Sequence, residues 1–182
     1  MKTLHQIYEK YTGPSFDAGW GDKGTTHTYI DEYAKLLKEY RNKSTVLEIG
    51  IAYGHSCEMW CDYFIDSKIV GVDITNHGLD LNNLRYDVIF ENAASEAVVP
   101  LLDQYTFDVI IDDGSHHLAD QLNSYHILKH KLAPNGIYII EDVANIDTVS
   151  QLFNELDSTK TITIIDNREK LGRYDDVMVI IK

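Results

Sequence analysis

Thr45-Val-Leu-Glu-Ile-Gly50 is the stretch that decides the architecture. It is a short, mainly apolar run that stops at a glycine. The residues after it, His55 to Phe64, carry Met59, Tyr63 and Phe64 at helical spacing. A strand that turns through glycine into a helix is the repeating unit of an α/β sheet, and the same alternation continues outward. Lys68-Ile-Val-Gly-Val-Asp73, Tyr86-Asp-Val-Ile-Phe90 and Phe107-Asp-Val-Ile-Ile111 read as strands, and His117 to Lys131 as a helix. Gly136-Ile-Tyr-Ile-Ile140 is the fifth strand and Thr148 to Leu156 a further helix.

Near-continuous β-branched runs belong to strands covered on both faces, which is the pattern of a parallel sheet between helices. The chain closes differently. Thr161-Ile-Thr-Ile-Ile165 and Val177-Met-Val-Ile-Ile181 follow one another with no helix between them and are expected to pair antiparallel. The predicted fold is therefore α/β, a doubly wound Rossmann-like sheet of strand order 3-2-1-4-5-7-6. One domain, 1–182, is expected, with 1–44 as an N-terminal cap or lid and 45–182 as the core. In such sheets ligands lie beyond the carboxyl ends of the strands at the switch point. Residues just after strands one, two, four and five therefore carry the interest.

Composition narrows the function. The 182 residues carry a net charge of −13, from 16 basic and 29 acidic side chains. Phosphate neutralisation needs clustered Lys and Arg, so a nucleic-acid partner is not expected, and the acidic surplus suits a cation. No apolar run approaches membrane-spanning length and the N-terminus carries no apolar signal core, so a cytoplasmic protein without a membrane partner is expected. Cys57 and Cys61 are too few ligands for a closed zinc site and read as free thiols.

The first strand ends in Glu48-Ile-Gly50-Ile-Ala52-Tyr53-Gly54, where glycine lets the backbone turn tightly beside a ligand. Asp73 closes the second strand, where a carboxylate can accept from ribose hydroxyls, and Asn92 follows the third. A nicotinamide dinucleotide and S-adenosylmethionine both suit these features. Glu48 is expected to separate them. A dinucleotide sets its pyrophosphate at this helix N-terminus, where a carboxylate repels it, whereas S-adenosylmethionine brings an ammonium and a sulfonium. Glu48, Gly50, Tyr53, Asp73, Asn92 and Asp112 are the candidate cofactor residues.

The fourth strand runs into Asp112-Asp113-Gly114-Ser115-His116-His117 and the fifth into Glu141-Asp142. Crowded carboxylates repel one another, and a hard divalent cation such as Mg²⁺ relieves that repulsion. Asp113, Glu141 and Asp142 form a candidate metal face, with positions left for a substrate hydroxyl. Methyl transfer to oxygen requires an in-line acceptor and removal of its proton. His116 is the candidate catalytic base, with His117 pointing elsewhere. The competing structural account makes Asp-Asp-Gly a turn and Ser115 a helix cap.

Gly19-Trp-Gly-Asp22-Lys23-Gly24-Thr-Thr-His27-Thr-Tyr29 is either a lid or an arm packing Trp20 and Tyr29 on the sheet. Arg168, Arg173, Asp175 and Asp176 read as a solvated turn in the last hairpin.

Several of these blocks together resemble the metal-dependent sugar O-methyltransferases of macrolide biosynthesis, the mycinamicin and tylosin type. They are Asp22-Lys-Gly-Thr-Thr-His-Thr-Tyr29, Val46-Leu-Glu-Ile-Gly-Ile51, Met59-Trp60-x-Asp-Tyr-Phe64, Ile69-Val-Gly-Val-Asp73, Ile111-Asp-Asp-Gly-Ser-His116 and Tyr138-Ile-Ile-Glu-Asp142. The resemblance implies a class I S-adenosylmethionine-dependent methyltransferase with Mg²⁺ on Asp113, Glu141 and Asp142 and His116 as base. It implies Glu48, Gly50, Asp73 and Asp112 around the cofactor, and a sugar-containing small molecule as acceptor. Lys23 and His27 would lie near the cofactor or substrate without separate roles. Two departures stand out: Glu91-Asn92 replaces an expected Gly-Asp pair, and the stretch before Asp22 is shorter than the region some relatives use for oligomerisation and substrate enclosure. A homo-oligomer stays open. So do a catechol-type methyltransferase, a nicotinamide-dependent oxidoreductase and a non-catalytic nucleoside-binding module.

Overall fold

The computed structural model describes residues 1–13, 21–144 and 146–182. Trp20, with Gly19, lies outside the described residues. Seven strands form one sheet: β1 (Thr45–Ile49), β2 (Lys68–Asp73), β3 (Asp87–Phe90), β4 (Phe107–Asp112), β5 (Leu132–Ile140), β6 (Ile162–Asp166) and β7 (Val177–Ile181). Their order is β3-β2-β1-β4-β5-β7-β6, as expected from the sequence. The pairs β1–β2, β1–β4, β2–β3 and β4–β5 are parallel, and β7 pairs antiparallel with both β5 and β6.

The helices are α1 (Leu4–Tyr8), α2 (Ile30–Leu36), α3 (His55–Tyr63), α4 (Leu118–Leu128), α5 (Ile146–Leu156) and α6 (Arg168–Leu171). The α6 turn corrects the expectation that nothing helical separates the last two strands. The two central strands alternate strictly between faces. Val46 and Val109 pack with Trp60, Tyr33 and Leu37 under α2 and α3, while Leu47, Ile49 and Ile110 pack with Tyr125, Leu128 and Phe153 under α4 and α5. Both layers are closed, because β1, β4 and β7 expose almost nothing. The edge strand β3 is half-exposed, so its run is not the two-sided burial the sequence suggested. Among the described residues, no helix is long and apolar enough to cross a membrane.

Register sets the site. Ile49 pairs with Asp112, and Asp112 pairs with Ile140. The ends of β1, β4 and β5 are therefore level. The turns after them meet at one place.

Candidate active site

The turn after β1 is built by close backbone approach. Gly50 has φ 79°, and a Cβ there would lie 2.0 Å from the Asp113 carbonyl oxygen. No side chain fits without moving the β4 turn. Asp73 staples the same turn: its Oδ2 accepts from the Ile51 and Ala52 amides, both at 3.0 Å, and its Oδ1 from the Thr75 amide at 3.0 Å. Its ordered carboxylate borders the cavity that opens beyond the strands.

That cavity has a volume of about 520 Å³, within the range of small-molecule sites. Gly50, Asp73, Asn92 and Asp112 line it together with Asp113, His116 and Asp142. Asn92 also caps its own turn, its Oδ1 accepting from the Ala94 amide at 2.9 Å. Burial pushes the Asp112 carboxyl up to about 7, against the pull of the Gly114 amide that donates to it.

Two expected cofactor residues stand apart from this cavity. Tyr53 lies beside a smaller depression next to Gly50, its ring edge-on to His77 at 5.9 Å. Glu48 is fully buried and faces α3, where it accepts from Ser56 Oγ at 2.8 Å, Cys57 Sγ at 3.1 Å and Trp60 Nε1 at 3.1 Å. It therefore braces the turn from behind. The negative charge facing a ligand at this turn comes from Asp73 and Asp113 instead. Burial holds the Cys57 thiol well above the ordinary range, so it behaves as packing.

The acidic residues divide into two groups. Lys23, buried from the N-terminal arm, donates to Asp113 Oδ2 at 2.6 Å and to Glu141 Oε1 and Oε2 at 2.8 and 3.0 Å, and lies 3.5 Å from Glu48 Oε1. Tyr33 also donates a short hydrogen bond to Glu141. Burial opposes the Lys23 charge, but the carboxylates outweigh it and hold the ammonium well above the usual lysine range. Glu141 is thus engaged below the cavity floor.

Asp142 faces the cavity, accepting from Tyr29 Oη at 2.7 Å, with His116 Nε2 3.4 Å from its Oδ2. The other neighbour of His116 Nε2 is Asp113 Oδ1, also at 3.4 Å. The Asp113 hydrogen bond pushes the imidazole up to about 9, with burial opposing. Asp113, His116 and Asp142 each offer one ligand atom, all within 4.8 Å of one another, a set that could hold a metal ion. Two carboxylates and an imidazole, with further acid behind them, fit a divalent cation.

The N-terminal arm contributes both to the cavity lining and to the core. Asp22, Thr26 and His27 line the cavity, while Tyr29 and Tyr33 are fully buried. His27 stacks on Tyr29 with centroids 5.0 Å apart, and its Nδ1 sits 3.1 Å from Asp142 Oδ1 without a hydrogen-bonded partner among the described residues. The last hairpin needs correction. Arg168 is half-buried beside Asp166, but Asp175 and Asp176 are buried, Asp176 accepting from the Thr28 amide at 3.1 Å and the Thr28 hydroxyl at 2.8 Å. Arg173 and Asp175 line the cavity, and Arg173 is the one Lys or Arg among its described lining residues. A run of charges reads as solvated until tertiary contacts bury it.

The sheet order, the glycine turn stapled by Asp73 and the cavity at the switch point define a class I methyltransferase fold. The chain belongs to the methyltransferase-domain family, whose model matches residues 47–143. Curated relatives agree. It is 31% identical over 149 residues to demethylmacrocin O-methyltransferase of Streptomyces fradiae, covering 77% of this chain and 36% of that one. It is 31% identical over 150 residues to mycinamicin VI 2''-O-methyltransferase of Micromonospora griseorubida, covering 77% and 36%. The chain thus spans about a third of the length of these relatives. Among solved structures, the MycE methyltransferase of mycinamycin biosynthesis, in complex with Mg and SAH, superposes with a TM-score of 0.73 at 23% identity, covering 100% of this chain and 54% of that one.

Proposed function

We propose that the chain is an S-adenosylmethionine-dependent O-methyltransferase that acts, with a divalent cation, on a hydroxyl of a sugar-bearing small molecule. The observation that carries this reading is one cavity lined both by the Gly50 turn with Asp73 and Asp112 and by the Asp113, His116 and Asp142 cluster. Relatives named for a rhamnosyl tetracenomycin in Streptomyces olivaceus and an L-olivosyl-oleandolide in Streptomyces antibioticus support that acceptor class.

The cofactor suits the Gly50, Asp73 and Asn92 lining. Asp73, with its carboxylate fixed by three backbone amides, is placed for ribose hydroxyls, and Asn92 and Asp112 for the base. A dinucleotide pyrophosphate would meet the Asp73 and Asp113 carboxylates at Gly50, where the Lys23 ammonium is already paired with Asp113 and Glu141, which disfavours the nicotinamide reading. Asp113 and Asp142 would hold the ion, with His116 beside them and Glu141 behind. A bound divalent ion lowers the pKa of a coordinated hydroxyl and competes with the imidazole proton for the same two carboxylates. Mg²⁺ and Mn²⁺ both fit an oxygen-rich set, which leaves the His116 imidazole free to take a proton.

The chain's own residues orient and deprotonate. His116 takes the acceptor proton on Nε2, which requires a neutral ring, and Asp113 and Asp142 stabilise the imidazolium that results. Tyr29 keeps Asp142 turned towards His116, and the arm residues Asp22, Thr26 and His27 wall the cavity against water. Calorimetry with S-adenosylhomocysteine, with and without Mg²⁺, followed by methyl transfer to sugar and catechol acceptors, tests this reading. Affinity for NAD in place of S-adenosylhomocysteine would overturn it.

A further inference from the structure

Lys23 comes from the arm before α2, yet its ammonium meets carboxylates that follow or belong to three strands. Glu48 lies in β1, Asp113 follows β4 and Glu141 follows β5. The lysine side chain is 3% exposed and that of Glu141 2%, so water does little of the charge compensation. Both Glu141 oxygens are taken by Lys23, while Asp113 divides its own, Oδ2 to Lys23 and Oδ1 towards His116. Of the three carboxylates expected to form the metal face, one is therefore spoken for and another half so.

We propose that Lys23 is a positioning residue acting as a resident counter-ion at a divalent-cation site. It sets Asp113 and Glu141 in place before any ion arrives, keeps Glu141 away from the ion, and so weakens divalent-cation binding. This inference rests on the ion reading above and deepens it. The physics is direct: a fixed positive charge among shared carboxylates repels an incoming dication and ties up its ligands, most strongly where water is scarce. Lysine suits the role because a single compact ammonium on a long stem can reach all three acids from an arm outside the sheet.

Mn²⁺ titrations of metal-stripped protein by calorimetry decide the matter, comparing wild type, Lys23→Met and Lys23→Met/Glu141→Gln. The methionine keeps an unbranched stem and loses the charge. Lys23→Met should bind Mn²⁺ roughly tenfold tighter or more, with a lower metal-free Tm that Mn²⁺ restores. The double variant, which also removes the carboxylate that Lys23 compensates, should return to near wild-type affinity, a reversal that a purely packing role does not produce. Unchanged or weaker Mn²⁺ binding by Lys23→Met, a double variant no closer to wild type, or a single variant that stays unfolded at saturating Mn²⁺ overturns the inference alone. If neither wild type nor either variant binds Mn²⁺, the ion reading falls and this inference falls with it.

Discussion

His116 Nε2 lies 3.4 Å from Asp142 Oδ2, and both residues hold left-handed backbone, with φ of 59° and 56°. They stand on the turns after two paired strands, so each side chain is aimed at the other by an unfavourable local conformation. Non-glycine residues with such φ cost on the order of 1 kcal/mol or more each and cluster where function needs a direction that regular backbone does not supply. Asn is among the residues that tolerate this conformation best, which makes His116→Asn the substitution of choice beside alanine.

His116→Ala and His116→Asn should each lower kcat by about 10²–10⁴. The affinity for S-adenosylhomocysteine should stay nearly unchanged, because the Asp73 carboxylate and the amides that hold it are untouched. Calorimetry and initial rates with one acceptor check both halves. Full activity in the asparagine variant would take the proton-accepting role away from His116.

The strand order, the glycine turn and the acidic ends of β4 and β5 were legible because each is written in consecutive residues: alternation, a breaking glycine, paired carboxylates. Which way Glu48 points was also there to be read, by parity. Val46 and Glu48 share one face of β1 and Leu47 and Ile49 the other, so Glu48 belongs with α3. Tyr33 left a fainter signal, one helical turn after Tyr29 and one before Leu37 on the stripe that packs under the sheet. Lys23, His27 and Arg173 left none that composition could resolve. Their partners are far along the chain, Lys23 to Glu141 being 118 residues, and a polar loop residue looks the same whether it ends in water or between carboxylates.

Gly50→Ala tests the turn. The alanine Cβ would meet the Asp113 carbonyl at 2.0 Å in a backbone with φ 79°, so either the β4 turn or the β1 turn has to move. A loss of about 2 kcal/mol or more is expected, seen as a Tm lower by about 5 °C. S-adenosylhomocysteine binding should fall with it. An unchanged Tm would mean that the two turns do not touch as described.

Arg173 donates to Asp175 through Nε at 3.1 Å and Nη2 at 3.0 Å while lining the cavity, and Tyr174 beside it is 71% exposed. A paired guanidinium at a cavity wall with an aromatic ring next to it suits recognition of the acceptor more than of the cofactor. Arg173→Lys keeps the charge and loses the forked geometry. It should raise the acceptor KM about tenfold and leave the S-adenosylhomocysteine Kd within about twofold. A change in the cofactor Kd alone would move Arg173 to the other end of the site.

Asp112, Asp142 and His116 should together cost the ion-free protein stability as pH rises from about 4 to about 9, and the sign follows from two kinds of group. Burial pushes Asp112 up to about 7 and Asp142 up to about 6, so between the unfolded carboxyl value and these pKa values the folded chain keeps protons that the unfolded chain has released. Stability then falls with rising pH across that window. His116, raised to about 9 by Asp113, contributes stability that is complete below the unfolded histidine value and lost as pH rises through about 9, which extends the decline. Asp112→Asn keeps an oxygen for the Gly114 amide and removes one titration, so its Tm should fall less steeply between pH 4.5 and 7 than that of the wild type. The difference across the window should amount to no more than about 3 kcal/mol. Parallel Tm curves in chelator would show that Asp112 ionises normally, and with it that water reaches the floor of the cavity.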